Sequence, residues 1–584
     1  MSVSMSERDL LTASQPVHRM KRSLGPVALM FTAIGSIIGS GWLFGAFNAS
    51  ALAGPAAIFS WAVAAIMIIL IGLTYAELGP MFPISGGVVR YPHLVWGSFG
   101  SYSMGFVTWI AAAAVPAIEV TGALQYASRF YPFTQAVQYQ GTTQHILTPV
   151  GMVIAVLALA LFVVLNYFGV LLFAQINNVV VWWKLFVIVL VIAIFLVTGF
   201  MMASGDGGAT HAGGAANFVS HGFAPKGFAA VFTAVSTAGI TFSFLGFRQG
   251  IELAGETKNP KRNIPLALVG SVVITGILYM LLQVAFTVMV PAETLKKSGG
   301  WINLTFTNDA GPLAALAAAG GIAWLAYVLY FDAIVSPADT GLIYTTITAR
   351  VSYAMGRNAN APKWLATNNR HGVPHWSLVV AFLAGCVLLL PFPSWQALVG
   401  FITSATVMSF GTGPLVLAIL RRTHPERVRP FKLPGGDLIP YLAFWSANMI
   451  MFWAGWATNS KLLIMLLIGY VLLIVFQLTN RRGYRPPLFF KVGASWVIPW
   501  FILYGLVSFL FSADSPIGSL KIGDTTFGNI MFFWVFLINA AVAGFVFWLA
   551  VRTRLPKEQI DLYIEDATRE SEVEDDTVAG GHIA

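Results

Sequence analysis

Long apolar segments separated by short polar ones run through most of the chain. The segments with few or no charges lie at 26–47, 55–77, 99–128, 149–167, 175–200, 227–255, 264–290, 312–348, 376–391, 396–420, 438–457, 461–480, 493–513 and 527–551. A helix needs about 20 apolar residues to cross the ~30 Å hydrocarbon core of a bilayer. Pro391 and Pro393 divide the uncharged run between Arg370 and Arg421, which is too long for one crossing, into two helices, because proline ends helices. The pattern predicts an all-α polytopic membrane protein with about 14 transmembrane helices.

The composition supports a membrane protein and excludes several other classes. Of the 584 residues, 57% are hydrophobic and only 10% are charged, whereas soluble domains have roughly 25% charged residues. This balance excludes an ordinary soluble enzyme, a disordered protein and a disulfide scaffold. The single cysteine, Cys386, allows no internal disulfide and no zinc-binding spacing. The sequence has no Walker, zinc-protease or serine-hydrolase motif, so we expect no ATP coupling, no cofactor, no metal and no enzymatic activity.

The basic residues are distributed unevenly between the polar segments. If the N-terminus lies in the cytoplasm, 25 of the 33 Lys and Arg residues fall on the cytoplasmic side, six fall outside, and Lys184 and Arg248 lie within spans. This distribution satisfies the positive-inside rule and predicts that both termini of this cell-membrane protein are cytoplasmic. The net charge of +9 is therefore explained by topology and does not indicate nucleic acid as a partner.

Glycine-rich runs interrupt the first and the sixth predicted spans, at 35–41 and 239–247. Glycine destabilises a helix interior by about 1 kcal/mol relative to alanine, and unwound backbone persists in a membrane only where it is buried in protein or lines a cavity. Close packing of small residues between helices is the alternative explanation for the glycines of the first span. Paired interruptions in two halves of a chain indicate a transport site near the bilayer midplane. Freed N–H groups there can bind a carboxylate, and freed carbonyls an ammonium.

The two interruptions are five spans apart, and an odd offset inverts the second half relative to the first. We therefore divide the chain into a cytoplasmic N-tail (1–25), a first five-helix repeat (26–205), a second, inverted five-helix repeat (226–420), four additional transmembrane helices (438–552) and an acidic cytoplasmic C-tail (553–584). We interpret the C-tail as solvated and disordered, with regulation or partner contact as the alternative.

Several ordered motifs resemble those of the amino acid–polyamine–organocation permease superfamily. They are the strings at 37–42, 246–265, 349–358, 361–365 and 372–374, and the resemblance covers residues 20–480. Many relatives have Gly-Phe-Glu after the sixth-span break, where this chain has Gly246-Phe247-Arg248-Gln249. That string is similar to the branch described as aspartate–proton symporters. The thirteenth and fourteenth spans exceed the common twelve-helix form.

The resemblance also implies a substrate site. The amides and hydroxyl of Gly39–Gly41 would bind the substrate carboxylate, and main-chain carbonyls beside the breaks would receive the ammonium. Phe242 or Phe244 would act as a gate, and two alanines of the third span would form the floor. The implied substrate-binding residues are Ile37, Gly39, Ser40, Gly41, Ala111, Ala112, Phe242 and Leu245, and we add Ser243 and Arg248 as candidates.

Lys184 is a basic residue within the fifth span. Burial disfavours the charged ammonium, so a lysine in the membrane can exchange a proton. The resemblance places it where sodium-coupled relatives bind a cation, donating to carbonyls of the first span and to Ser336 or Thr340. The alternative is that Trp182, Trp183 and Lys184 anchor the helix at the membrane interface, with the span running over 185–205.

Arg248 and three acids are the other ionisable candidates. An arginine deep in a membrane is costly and indicates function, and its fork binds a carboxylate at two points. Arg248 therefore favours a substrate with a second carboxylate; the alternative is an ion pair with Glu119 or Glu252. Glu119 is a candidate proton carrier, and Asp339 a weaker candidate that lines the pathway.

Together these features predict a secondary active transporter that imports an acidic amino acid, aspartate or glutamate, by proton symport with alternating access. Its partners would be the amino acid, the proton as coupling ion and the lipid bilayer. The alternative is a symporter or exchanger for a neutral or cationic amino acid or a polyamine, although Arg248 argues against a cationic side chain. A channel or a sensor is less favoured, and an enzyme least.

Overall fold

The fold is all-α, as the apolar pattern predicts, with only two short antiparallel β-hairpins in the described chain. The computed structural model describes residues 25–82, 87–139, 142–168, 170–201, 212–252, 257–306, 311–357, 360–370, 372–390, 394–479 and 487–579. The predicted N-tail, apart from Gly25, and the predicted helix break at Pro391–Pro393 lie outside these residues.

The first five predicted spans each correspond to a helix or to a pair of helix halves. They are α1 (Pro26–Ile37) with α2 (Gly41–Ala53), α3 (Ala57–Met81), α4 (Gly87–Ala127), α5 (Pro149–Tyr167) and α6 (Val170–Met201). Between α4 and α5, strands β1 (Thr134–Tyr139) and β2 (Thr142–Leu147) form a hairpin. We call the end of the bundle that carries this β1–β2 hairpin the hairpin end.

The helices of the next five predicted spans contain the second break. They comprise α7 (Phe228–Thr237), a 3₁₀ segment (Phe242–Arg248), α8 (Gln249–Glu252), α9 (Pro260–Met289), α10 (Ala292–Lys297), α11 (Pro312–Ala319), α12 (Ala323–Arg357), α13 (His375–Leu389), α14 (Trp395–Phe410) and α15 (Thr412–Thr423). Further short 3₁₀ turns lie at Gly54–Ala56, Gly214–Phe218, Trp301–Asn303 and Lys363–Ala366.

The last part of the chain adds helices outside this ten-span region. They are α16 (Leu438–Trp453), α17 (Trp456–Thr479), α18 (Val497–Phe511), then strands β3 (Lys521–Ile522) and β4 (Thr525–Thr526), and α19 (Phe527–Met531), α20 (Trp534–Arg552) and α21 (Lys557–Ala579). The interpretation of the C-tail as disordered is wrong for residues 557–579, which form α21.

By length and apolar composition, eight helices of the described chain can cross a membrane, and a ninth crossing is formed if α7 and the 3₁₀ segment, bent by 49°, count as one span. The helices α1, α13, α16 and α18 are apolar but shorter. The figure of 14 crossings therefore stays a prediction.

The two interrupted spans lie side by side in the centre of the bundle. Helix α1 packs against the 3₁₀ segment, while α2 packs against α7, so that the first half of one span contacts the second half of the other. This crosswise pairing means that the two spans run in opposite directions. Helices α4, α9, α12 and α14 surround them, and thus both interruptions are enclosed by protein rather than lipid.

Helix α21 packs back onto the start of α4. The side chains of Ile560 and Ile564 are buried, and the rings of Tyr563 and His93 lie 4.5 Å apart. His424, which follows α15, contacts Asp561 of α21 with 2.6 Å between Nε2 and Oδ1. We call the end of the bundle that carries these contacts the tail end.

Candidate functional site

The first break lies at Ile38–Ser40, between α1 and α2. Ile38 leaves the helical region (φ −85°, ψ 87°), and the Ser40 amide donates its hydrogen bond to Oε2 of Glu119 at 2.7 Å instead of to a helix carbonyl. An N–H group freed by a helix break therefore binds a carboxylate, which is the chemistry that the sequence predicts for a substrate at this point.

Glu119 reaches the first break from α4, and its side chain is 1% exposed. A Cβ atom on Gly39 would lie 2.6 Å from Oε1 of Glu119, so glycine leaves the space that the carboxyl group fills. Among the described residues, this Oε1 atom has no hydrogen-bond partner. The hydrogen bond of Glu119 goes to Ser40 and not to Arg248, which was one of the predicted alternatives.

Lys184 is 0% exposed and lies within α6. It is therefore not an anchor at the membrane interface, which was the alternative interpretation. Its Nζ donates to the Gly35 carbonyl at 2.9 Å and to Oγ1 of Thr340 at 3.1 Å, and forms an ion pair with Asp339 at 2.7 Å. The Thr340 hydroxyl also contacts the Ile38 carbonyl, at 3.3 Å. The lysine thus joins the first span to α12 through the carbonyls that the break exposes.

Ser336 makes a different contact from the one predicted. Its hydroxyl donates to Oδ1 of Asp332 at 2.7 Å, and the same oxygen accepts from Nε1 of Trp183 at 2.9 Å. Asp332 lies one helical turn before Ser336 on the same face of α12, so its carboxylate is within hydrogen-bond distance of the Ser336 hydroxyl. Ser336 therefore belongs to a neighbouring cluster, and Thr340 alone of the two predicted hydroxyls binds Lys184.

The second break begins at Gly239, whose φ of +89° is a backbone conformation that favours glycine. Both the amide and the hydroxyl of Ser243 donate to the Gly239 carbonyl, at 3.0 and 2.8 Å. Gly246 then packs so tightly against α1 that an added Cβ would collide with the backbone of Ser36 and Ile37. The second break is held by its own backbone and by glycine contacts with the first.

A small cavity lies between the two breaks, with room for about one water molecule. Oγ of Ser36, like Oε1 of Glu119, has no hydrogen-bond partner among the described residues, so the cavity presents unsatisfied polar atoms to a ligand. The described chain has no cluster of three or more His, Cys, Asp or Glu side chains suited to a metal. The lining residues are Ser36, Ile37, Val115, Glu119, Phe242, Leu245, Gly246, Thr340, Tyr344, Ile402 and Thr406.

Seven of the ten predicted substrate-binding residues are buried but do not line this cavity: Gly39, Ser40, Gly41, Ala111, Ala112, Ser243 and Arg248. Ala111 and Ala112 are fully buried in α4, but Val115 and Glu119 are the lining residues of that helix. Arg248 is 1% exposed, and its guanidinium lies 5.9 Å from the ring centroid of Tyr344, which does line the cavity. The arginine therefore contacts a cavity-lining residue without lining the cavity itself. The side chain of Glu252, its other predicted partner, lies outside the described residues.

Comparison with known proteins bears directly on this site. The amino acid permease family matches residues 24–489, a range that includes both breaks and the cavity. The chain belongs to the amino acid permease family.

Similar proteins extend the match over nearly the whole chain. It is 35% identical to the glutamate/serine transporter AimA of Bacillus subtilis, over 94% of this chain and 96% of that protein. It is 34% identical to the aspartate-proton symporter of the same organism, over 93% and 98%. It is 26% identical to the branched-chain amino acid permease BcaP of Bacillus subtilis, over 82% of this chain and 97% of that protein. As an amino acid permease the chain is a multi-pass membrane transporter and not an enzyme.

Two residues of this permease site were missed or undervalued in the sequence. Asp339 was placed below Glu119 as a candidate, yet it forms the ion pair with Lys184; its position next to Thr340 in an apolar helix was the available signal. Trp395 was not singled out, but its Nε1 donates to the Ser40 hydroxyl at 2.8 Å. Its signal was a large aromatic residue at a helix start, after Ser394.

Proposed function

We propose that this permease imports an acidic amino acid, aspartate or glutamate, together with protons. The observation that carries the proposal is the Ser40 amide, which holds a carboxylate at the first break, 2.7 Å from Oε2 of Glu119. A substrate carboxylate needs the same donor, and two carboxylates repel each other in a buried site. Glu119 must therefore leave the amide or take up a proton before the substrate binds.

This competition supplies a physical link between proton and substrate. A protonated Glu119 is a poorer acceptor for the Ser40 amide and has an O–H of its own to donate. Proton uptake thus frees the binding site, and the substrate favours the protonated state in return, because linkage between two ligands is reciprocal. Release of substrate lets the charged Glu119 carboxylate return to the amide.

The ion pair of Lys184 and Asp339 gives the coupling a second titratable element. Both side chains are almost fully buried, and a buried ion pair is sensitive to the loss of either charge. Lys184 also binds the Gly35 carbonyl of α1, so a proton transfer within the pair changes how firmly α1 is held to α12. Tilting of the broken spans against the surrounding helices would then alternate the access.

The acidic substrate is supported by the relatives and by one side chain. Two relatives, at 35% and 34% identity, are named as a glutamate/serine transporter and an aspartate-proton symporter. Arg248 places a positive charge beside Tyr344, which lines the cavity. In a site with little water, that charge favours an anionic side chain over a neutral one.

We further propose that the protein lies in the cell membrane with its tail end in the cytoplasm. Most Lys and Arg residues fall at that end when the spans are assigned from the sequence. The hairpin end would then face outwards, and import would run from the hairpin end to the tail end.

Uptake by the purified protein in liposomes tests the function. Aspartate should accumulate against its gradient when the outside is acidified, and a proton ionophore should abolish the accumulation. Uptake unaffected by the ionophore would disprove proton coupling. In a competition panel, glutamate should displace aspartate better than serine or lysine, whereas preferred displacement by serine would support a neutral substrate. The variant Arg248→Gln should lower the preference for aspartate over serine by about two- to fivefold, ~0.5–1 kcal/mol.

A further inference from the structure

Trp395 touches both breaks at once. It is the first residue of α14 and is 0% exposed. Its Nε1 donates to Oγ of Ser40 at 2.8 Å, and its ring fills the space in front of Gly239, where an added Cβ would lie 2.5 Å away. The side chain therefore joins a binding residue of the first break to the glycine that starts the second.

The ring of Trp395 also closes the hairpin end of the site. Its centroid lies 4.7 Å from that of Phe44 and 6.1 Å from that of Phe242. Phe44 in turn packs edge-on against Tyr126, with centroids 5.3 Å apart. Phe242 is a cavity-lining residue, whereas the other rings lie towards the hairpin end. An amino acid that enters from that end must pass between these rings.

The β1–β2 hairpin is attached to the residue before Trp395. The hydroxyl of Ser394 donates to Oε1 of Gln144 at 2.8 Å, and Ser394 forms a backbone bridge with Ile146. The same hydroxyl accepts from the Ala397 amide at 3.2 Å, which caps the start of α14. The hairpin is thus connected to the start of the helix on which Trp395 lies.

We propose that Trp395 is the gate of the hairpin end and that the β1–β2 hairpin holds this gate closed through Gln144. The inference deepens the proposed function, because it assigns the side chain that a substrate must displace. The Trp395 N–H occupies an acceptor position of the Ser40 hydroxyl, so the hydroxyl keeps its own hydrogen for a carboxylate. Trp395 therefore positions Ser40 for binding as well as blocking entry.

Thiol labelling of the cavity tests the gate without any transport. In a Cys386→Ala background, which has no other cysteine, Thr406→Cys places one thiol on the cavity wall. A membrane-impermeant thiol reagent is then added from the hairpin side in cells, and the labelling rate is measured. Trp395→Ala should raise the rate about tenfold, which equals ~1.4 kcal/mol on the closing equilibrium. An unchanged labelling rate would show that Trp395 is not the gate.

A second substitution guards against a variant that fails to fold. Trp395→Phe keeps an aromatic ring but cannot donate to Ser40. It should label nearly as slowly as the parent while its half-saturation concentration for substrate rises. Rapid labelling of this variant, or an unchanged half-saturation concentration, would contradict the two roles given to Trp395. All rates are normalised to the amount of each variant in the cell membrane, and each variant must be monodisperse after extraction in detergent.

The hairpin contact has a matched control on the same hairpin. Gln144→Ala removes the contact with Ser394 but leaves the cap of α14 intact, and should raise the labelling rate. Gln138 bonds only Thr143 within the hairpin in the described contacts, and Gln138→Ala should leave the rate unchanged. Equal labelling rates for the two variants would show that the hairpin does not hold the gate closed. Because labelling needs no substrate, these results hold even if the transported amino acid is not acidic.

Discussion

The two breaks share a position in the bundle but are stabilised in different ways. The first is held by side chains from three other helices: Glu119 binds its amide, and Lys184 and Thr340 bind its carbonyls. At the second break the hydrogen bond comes from the same span, because the Ser243 hydroxyl donates to the Gly239 carbonyl. The first break therefore responds to charge and protonation, whereas the second responds to shape.

The largest expected effect follows from removing the charge at the first break. Lys184→Ala should abolish gradient-driven uptake and destabilise the protein by about 3–5 kcal/mol, because Asp339 is left as an unpaired buried charge. Uptake in liposomes and thermal unfolding in detergent measure the two losses.

A double substitution separates the loss of stability from the loss of coupling. Lys184→Met with Asp339→Asn removes both charges and should recover much of the stability but not the proton-driven uptake. If the double variant accumulates substrate normally under a proton gradient, the ion pair has no part in coupling, and Glu119 is left as the charged group that couples at the first break.

The next effect tests the dependence of the second break on shape. Gly246→Ala should reduce stability by an amount near the upper end of ~1–3 kcal/mol, because the methyl group meets the backbone of Ser36 and Ile37, which cannot rotate away. Gly72→Ala is the control, since its Cβ would only touch Phe247 at 3.6 Å. Thermal unfolding measures both, and equal stability of the two variants would show that the close approach of the breaks is not needed.

The smallest effect concerns the pH dependence of binding at the first break. In the wild type, falling pH protonates Glu119 and frees the Ser40 amide, so affinity for aspartate should rise by at most about tenfold per pH unit, the limit for one linked proton. Glu119→Gln cannot hold a negative charge on the amide and should bind with an affinity that no longer changes with pH.

Titration of binding from mildly acidic to mildly alkaline pH measures this difference. A variant that keeps the wild-type slope would show that another group, such as the Lys184–Asp339 pair, is the linked site. If the pH dependence of the affinity disappears only when Lys184 is replaced together with Glu119, then Glu119 and the Lys184–Asp339 pair share the proton coupling.

The sequence was sufficient to predict the elements that depend on local chemistry. The glycines at 35–41 and 239–247 located both interruptions, because glycine weakens a helix wherever it lies. The interruptions need no knowledge of which helices touch. A buried Lys184 was one of two interpretations of its apolar neighbours, the other being an anchor at the membrane interface, and the structure decides between them.

Features that depend on helix rotation and neighbours could not be predicted in the same way. Helix α4 lines the cavity with Val115 and Glu119, one and two turns after the predicted Ala111, since sequence periodicity does not give the angle at which a helix faces its partner. The pairing of Asp339 with Lys184 joins residues of two distant helices. The helical C-tail gains its order from packing on α4, which a charge-rich composition does not reveal.

The return of the chain's end to the start of α4 has a consequence for biosynthesis. The indole N–H of Trp96 donates to the Ala550 carbonyl, 454 residues later in the chain. At a translation rate of ~5–20 residues per second, this acceptor leaves the ribosome on the order of 20 to 90 s after the donor. During that interval the newly inserted third span needs lipid, water or a chaperone to cover the surface on which the last helices later dock.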